Sequence, residues 1–555
     1  MLCTALTASV AADGKAGIDA GNVGGLHLAW SWRLDGVGAE SSPPATAGGQ
    51  LFVLGAFPHT LWALDPAAPA EKRVRWQYIP IPDRSAQGRT CCVRQTHGPV
   101  AASGSVFFTT VDGHLLALDP QSGAVRFDTP VIDPQAGEAL ANAPLVAEGK
   151  VYVGSAGDDA GVRGWLAALD AASGKLLWKR YSTGPDEEVG IGASFKPFQA
   201  ALRGANLGTR SWPPSAWRQG GGSVAGSLLY DEATHAVYHE TGHPAPWNPE
   251  QRAGDDLWTA GVFARDAGTG AARWFTGFNP HDPYEYGNAG SDVLMTLEWS
   301  GRPRDVLVHP DANGLLYVLD RATGQILAAD AVTPSVVSSV DMASGKTRYD
   351  PSKAIKVNTQ TRDVCPAWTG AFGAGSGVLA DAGLLALPVS RMCMDIEPRS
   401  ANYIKGTPYM GANVRLRLGP APGGAVVGWN VARRQSAWQV DEPLPVLGGT
   451  LVTESGLVFY GTLEGAFKAL DGRTGKLLWQ FKGKEGIMSR PVAFQGTDGR
   501  TYVAVVAGTG RLFGMSRTEA LDPRDETAGA GWGAALRQLP EDAEPASTLL
   551  VFGLP

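Results

Sequence analysis

The chain has 555 residues, with 47 Lys and Arg against 54 Asp and Glu and a net charge of −7. No basic run is present, which argues against a nucleic-acid partner, and no apolar stretch reaches the length of a membrane span. The 72 Gly, 38 Pro and 17 Trp point to many tight turns and to aromatic packing.

Residues 1–19 read as an N-terminal tail. MLCTALTASVAA is apolar but lacks a basic n-region, so it is either the end of a trimmed leader or a disordered end. From there a cassette recurs: an apolar strand ending in Ala-x-Asp or a close variant, a turn usually carrying Gly, then a strand with an aromatic. It occurs in LWALDPAAPAEKRVRW (61–76), LLALDPQSGAVRF (115–127), LAALDAASGKLLW (166–178), VFARDAGTGAARW (262–274), YVLDRATGQIL (317–327), VVGWNVARRQSAW (426–438) and FKALDGRTGKLLW (467–479). Each cassette pairs two β-rich runs through a turn, a hairpin signature. Runs such as KVYVGS (150–155) and TYVAVVAG (501–508) supply further short strands. Four strands per unit, repeated around an axis, predict an all-β, eight-bladed β-propeller over 20–520, with 521–555 as a C-terminal extension. The last blade is expected from joining LHLAWSWRL (26–34) to the LFGM region (512–515), which removes the final sheet edge. Wider spacings between some cassettes imply insertions.

Cys91 and Cys92 are adjacent. Bonded, they would close a strained ring of the kind held at functional sites; unbonded, one would face a core and the other away. Together with Cys365 and Cys393 they favour an oxidising compartment, periplasmic or secreted, while Cys3 has no assignment. No C-x-x-C-H haem string occurs, no G-x-G-x-x-G follows a strand, and there is no G-x-S-x-G elbow.

The chain resembles the quinoprotein alcohol dehydrogenases of the methanol dehydrogenase type. The resemblance rests on the paired cysteines, AGDDAGVRGWLAALD (156–170), GGGS (220–223), TGHPAPWN (241–248), FNPHDPYEYGNAG (278–290), HPDANGLLYVLDRATG (309–324), DVCPAW (363–368) and RMCMDIEP (391–398). It implies a pyrroloquinoline quinone (PQQ) cofactor and a calcium or lanthanide ion. It implies that Cys91 and Cys92 are disulfide-bonded against the quinone and that Cys365 and Cys393 form a second, structural disulfide. Cofactor contacts are expected from Glu40, Cys91, Cys92, His97, Gly157, Asp158, Ala225, Arg321 and Ser390. Metal ligands are expected from Asp159, His243 and Glu285, with Asp282 as a spare carboxylate. Glu285 is the candidate base and Arg321 the partner of the reactive carbonyl. Gly287, where lanthanide-type members carry a carboxylate, favours Ca²⁺. His243 departs from the expected oxygen ligand, since imidazole suits softer metals. Ala225 replaces a stacking tryptophan, and Ala141, Ala156 and Leu447 also depart from the family pattern.

Two functions follow. The first is PQQ-dependent oxidation of an alcohol group, with electrons leaving to a soluble cytochrome c. The small residues lining the pocket then imply a bulky alcohol. The second is a propeller without quinone, acting as a scaffold or in other chemistry. Each site residue also has a plain structural reading: Asp159 shaping a turn, Glu285 solvated in a loop, Arg321 paired with Asp320 or a neighbouring blade, His243 packed on Trp247.

Overall fold

A computed structural model describes residues 17–34, 42–83, 86, 98–140, 142–287, 292–508 and 547–555. Glu40, Cys91, Cys92, His97, Ala141 and the LFGM segment lie outside the described residues.

Among the described residues the strands assemble into eight antiparallel sheets of four or five strands, with one smaller hairpin and a three-stranded sheet besides. Except in the sheet that joins the two ends of the chain, the order follows the chain, as in Leu228–Asp231, Ala236–Thr241, Gly261–Asp266 and Ala272–Gly277. Second strands such as Gln50–Leu54 and Ser105–Thr109 are buried along their whole length. That burial on both faces explains why they read as continuous apolar runs.

Apolar layers lie between successive sheets. Phe52 and Leu61 of the second sheet pack with Val106 and Leu116 of the third. Tyr238 and Val262 of the fifth pack with Leu307 and Tyr317 of the sixth. The series returns on itself, because Leu34, Val506 and Val551 of the sheet containing the N-terminal strand pack with Leu51 and Leu64 of the second. Burying one such side chain contributes about 1.5–3 kcal/mol. The architecture is an all-β propeller.

The closing strand differs from expectation. His27–Leu34 pairs with Ser547–Gly553, which in turn pairs with Thr501–Ala507. The strand beside 26–34 therefore comes from 547–553, within the segment expected to be an extension. STLLVFG supplies the continuous apolar run that this inner position, buried on both faces, needs.

The antiparallel order fixes two ends for every sheet. Connections from second to third strand, and from one sheet to the next, emerge at one end. Turns from third to fourth strand lie at the other. The long insertions, including Arg391–Gly423, leave from the first end. There the strands Thr361–Val364, Met392–Pro398 and Ala412–Leu418 form the three-stranded sheet. Cys365 and Cys393 are disulfide-bonded across it, with Cα atoms 4.4 Å apart.

Candidate active site

At the insertion end, the strand Lys150–Ala156 runs into Gly157, Asp158 and Asp159. The strand Ala236–Thr241 runs into His243, and Glu285 sits in the link from Ala272–Gly277 to Val293–Trp299. These three loops converge. His243 Nδ1 is in close contact with Glu285 Oε2, while its Nε2 lies 3.7 Å from Asp158 and 3.9 Å from Asp159. Asp158 accepts the backbone N–H of Ser223 at 2.8 Å, and Asp159 accepts the Trp247 indole N–H at 2.7 Å. Gly221 has φ +70°, and a Cβ there would lie 2.6 Å from the His243 carbonyl oxygen, so the GGGS stretch passes where a side chain has no room.

Glu285 is fully buried and holds φ +66°, a left-handed backbone that costs a non-glycine residue on the order of 1–3 kcal/mol. The surroundings impose it. The carboxylate of Asp282 accepts the N–H groups of Tyr284 and Tyr286, one on each side of Glu285. Arg252 donates to the Asp282 carbonyl, to Pro246 O at 2.7 Å and to Asp256 at 2.6 Å, and places its guanidinium 3.8 Å from Glu285 Oε1. Asp282 is thus a clamp on the backbone of Glu285, a role its sequence position did not reveal. Arg252 went unnoticed, because nothing in NPEQRAGDD marks it as buried.

The electrostatics follow from burial. Burial pushes Asp158 up to about 6, tempered by His243 and Ser223. Burial, reinforced by Glu285, pushes Asp282 up to about 7. For His243 burial works downward, but Glu285 and then Asp158 outweigh it and raise the imidazole well above its ordinary value. Burial raises Glu285 too, with His243 and Arg252 pulling it back.

Arg321 is not part of this cluster. It follows the third strand Leu315–Asp320 and therefore lies at the opposite end of its sheet. Its guanidinium contacts Asp231 at 3.3 Å and Asp305 at 3.0 Å, and its carbonyl accepts the Trp274 indole at 3.2 Å. The role expected for it at the reactive carbonyl is corrected to a structural one, because a strand of six residues separates the two ends. Ser390 does end a second strand, and its hydroxyl is buried without a hydrogen-bond partner. Ala225 packs beside Ala139 and Ala156.

Ser390 Oγ, buried with no hydrogen-bond partner among the described residues, suits a polar ligand such as a quinone cofactor. The metal set fits less well. Asp159, His243 and Glu285 do not gather three ligand atoms within 4.8 Å of one another; among the described residues that holds for Glu240, Asp292 and His309. The His243 ring has Nδ1 directed at Glu285, while its Nε2 lies 3.7 Å from Asp158 and 3.9 Å from Asp159.

The family model for the β-propeller domain of glucose/ethanol/alcohol dehydrogenases with PQQ matches residues 14–348 and 420–503. The chain belongs to this family. It is 36% identical over 546 residues to the lanthanide-dependent methanol dehydrogenase of Methylacidiphilum fumariolicum (strain SolV), covering 97% of this chain and 89% of that protein. To methanol dehydrogenase (cytochrome c) subunit 1 of Paracoccus denitrificans it is 34% identical over 551 residues, covering 96% and 86%. A europium-containing methanol dehydrogenase superposes with a TM-score of 0.91 at 36% identity, covering 97% of this chain and 95% of the other. By family the chain is a quinoprotein alcohol dehydrogenase, an oxidoreductase of CH–OH groups.

Proposed function

We propose that this chain oxidises the alcohol group of a bulky organic substrate to the carbonyl, with PQQ as the electron acceptor and a c-type cytochrome as the next carrier. The observation that carries the reading is Glu285: a carboxylate buried at the insertion end, clamped by Asp282 and pointed at His243, in a member of this family. PQQ, when bound, would supply the hydride acceptor for the carbinol carbon. Glu285 takes the hydroxyl proton. Its raised pKa brings the carboxylate toward the working pH, where a general base is most effective. His243 and Arg252 stabilise the charged form of Glu285 before and after the transfer. Asp158 and Asp159 hold the opposite side of His243 and fix its ring. Gly157, Asp158, Ala225 and Ser390 are the described residues proposed to hold the cofactor, together with Glu40, Cys91, Cys92 and His97, and with Cys91 and Cys92 disulfide-bonded.

The wall of Ala139, Ala156 and Ala225 supports the bulky substrate. A small alcohol in a wide pocket is poorly oriented, and lost orientation is costly in rate. The eight sheets and their returning series of apolar layers support eight blades closed by the terminal strands. A periplasmic or secreted location is proposed from the cysteines, and no helix among the described residues is long and apolar enough to cross a membrane. Calcium over a lanthanide rests on Gly287 alone. The test is PQQ uptake followed by absorbance, with Ca²⁺, with La³⁺ and with neither, then dye-coupled oxidation of alcohols of rising size. The reading expects PQQ retention and faster turnover of large alcohols than of methanol. No PQQ binding under any of the three conditions would overturn it. The scaffold reading is not favoured, since unpartnered buried polar atoms cost about 1–3 kcal/mol each and serve nothing in a scaffold.

A further inference from the structure

We propose that Glu240, Asp292 and His309 form a binding site for a divalent transition-metal ion of the Zn²⁺ class, separate from the cluster around His243. Their ligand atoms lie within 4.8 Å of one another, and all three residues are buried. The site lies between the fifth and sixth sheets. Glu240 is on Ala236–Thr241, Asp292 immediately precedes Val293–Trp299, and His309 is on Arg302–Pro310. The pairing of Val293 with Val308 sets Asp292 beside His309. His309 Nδ1 is 2.7 Å from Asp292 Oδ1 and 3.9 Å from Glu240 Oε1.

Two observations point to a ligand. Asp292 is 4% exposed, and its second oxygen, Oδ2, has no hydrogen-bond partner among the described residues. On the far side of the imidazole, Nε2 donates to Asp311 Oδ2 at 3.1 Å. Asp311 is itself fixed by Asn279, at 3.1 and 3.3 Å, and by the N–H of Asn313 at 2.9 Å. This is the carboxylate–histidine arrangement that orients a metal-binding imidazole and turns its other nitrogen toward the ion. Phe278 stacks on the His309 ring at 4.3 Å and 11°, holding its plane.

Charge adds a third argument. Three carboxylates, Glu240, Asp292 and Asp311, surround one imidazole. Carboxylate oxygens and an imidazole nitrogen facing one another in a buried site are a ligand set that a divalent cation can share. A divalent ion would replace the proton on Nδ1, which leaves to solvent. One imidazole with carboxylates suits zinc-type ions better than calcium. The site adjoins the expected cofactor wall: a Cβ on Gly226, next to Ala225, would lie 2.6 Å from Glu240 Oε2. It needs neither PQQ nor alcohol.

The test uses the full chain, stripped with chelator and free of PQQ. Zn²⁺ titration by calorimetry is compared across the unaltered chain, Asp292→Asn and Glu240→Gln, each checked for near-UV circular dichroism. Each variant is expected to bind one equivalent fewer. Asp311→Asn, outside the ligand set, is expected to weaken that equivalent by about ten- to a hundredfold. Crystals of the unaltered chain soaked in Zn²⁺ should show an anomalous peak between the three side chains, which decides the matter even if a variant misfolds. Equal stoichiometry in folded variants, or a peak only at Asp159, His243 and Glu285, or none, would overturn the proposal.

Discussion

At the end of most sheets where the third strand turns into the fourth, an Asp carboxylate binds its own turn, and an aromatic from one sheet docks on the next. Asp119 accepts the N–H groups of Gln121 and Ser122, Asp266 those of Gly268 and Thr269, and Asp471 those of Arg473 and Thr474. The Trp76 indole donates to Pro120 O, Trp274 to Arg321 O and Trp438 to Gly472 O. The docking ring lies where a Cβ would otherwise stand: 2.7 Å for Trp76 at Gly123 and 2.6 Å for Trp274 at Gly324. The insertion end does the opposite. Among the described residues, the buried Ser390 hydroxyl has no hydrogen-bond partner, and neither has Nε2 of His59, which links a second strand to a third there. One end satisfies its polar groups locally and makes the sheets cohere; the other withholds satisfaction and keeps groups ready for a ligand. The two ends should therefore answer differently to substitution.

The largest effect is expected from Glu285→Gln, which keeps shape and removes the base. Dye-coupled oxidation should fall about 10²- to 10⁴-fold, and the urea midpoint should fall too, because buried His243 and Arg252 lose the carboxylate that partners them. A variant with near-full activity would move the base to Asp158, Asp159 or Asp282. At the opposite end, Trp274→Ala should cost about 3–5 kcal/mol of unfolding free energy, from the lost ring and the emptied dock. If it instead lowered activity with stability intact, the division between the two ends would fail.

A smaller effect tests the insertion end by pH. Burial pushes His59 down to about 4, with Asp112 tempering it. The unfolded chain then binds more protons below the ordinary value of 6.5, so stability falls as pH drops from 6.5 through about 4. His59 should contribute about 2 kcal/mol of loss between pH 6.5 and 5. Urea midpoints of His59→Gln should show a shallower decline over that range than those of the unaltered chain. The smallest effect is Asp471→Ala, which removes exposed turn bonds and should cost about 1 kcal/mol by the same measurement.

The repeat was legible because its chemistry is local. An Asp that caps its own turn, a Gly that makes room for an aromatic ring and an apolar strand on each side fall together in most of the seven cassettes, so a single sequence displays the repeat. The loops carrying Asp158, Asp159, His243 and Glu285 were likewise found from their strings. Arg321 was misplaced although its string was recognised, since only strand direction tells which end of a sheet a residue reaches. The closing strand was missed for a related reason: STLLVFG carries no cassette of its own and gains its place only by pairing with 27–34.

By itself, then, the amino-acid order determined the strand-and-turn repeat, the family resemblance and the set of loops that bear charge. The tertiary structure alone decided that His243 meets Glu285, that Asp282 and Arg252 hold Glu285 in place, and that Glu240, Asp292 and His309 face one another across two sheets. The reason is range. Turn chemistry is settled within a few residues, whereas burial of a charge, and the pKa and ligand-binding power that come with it, depend on groups tens of positions away that only the packed sheets bring together.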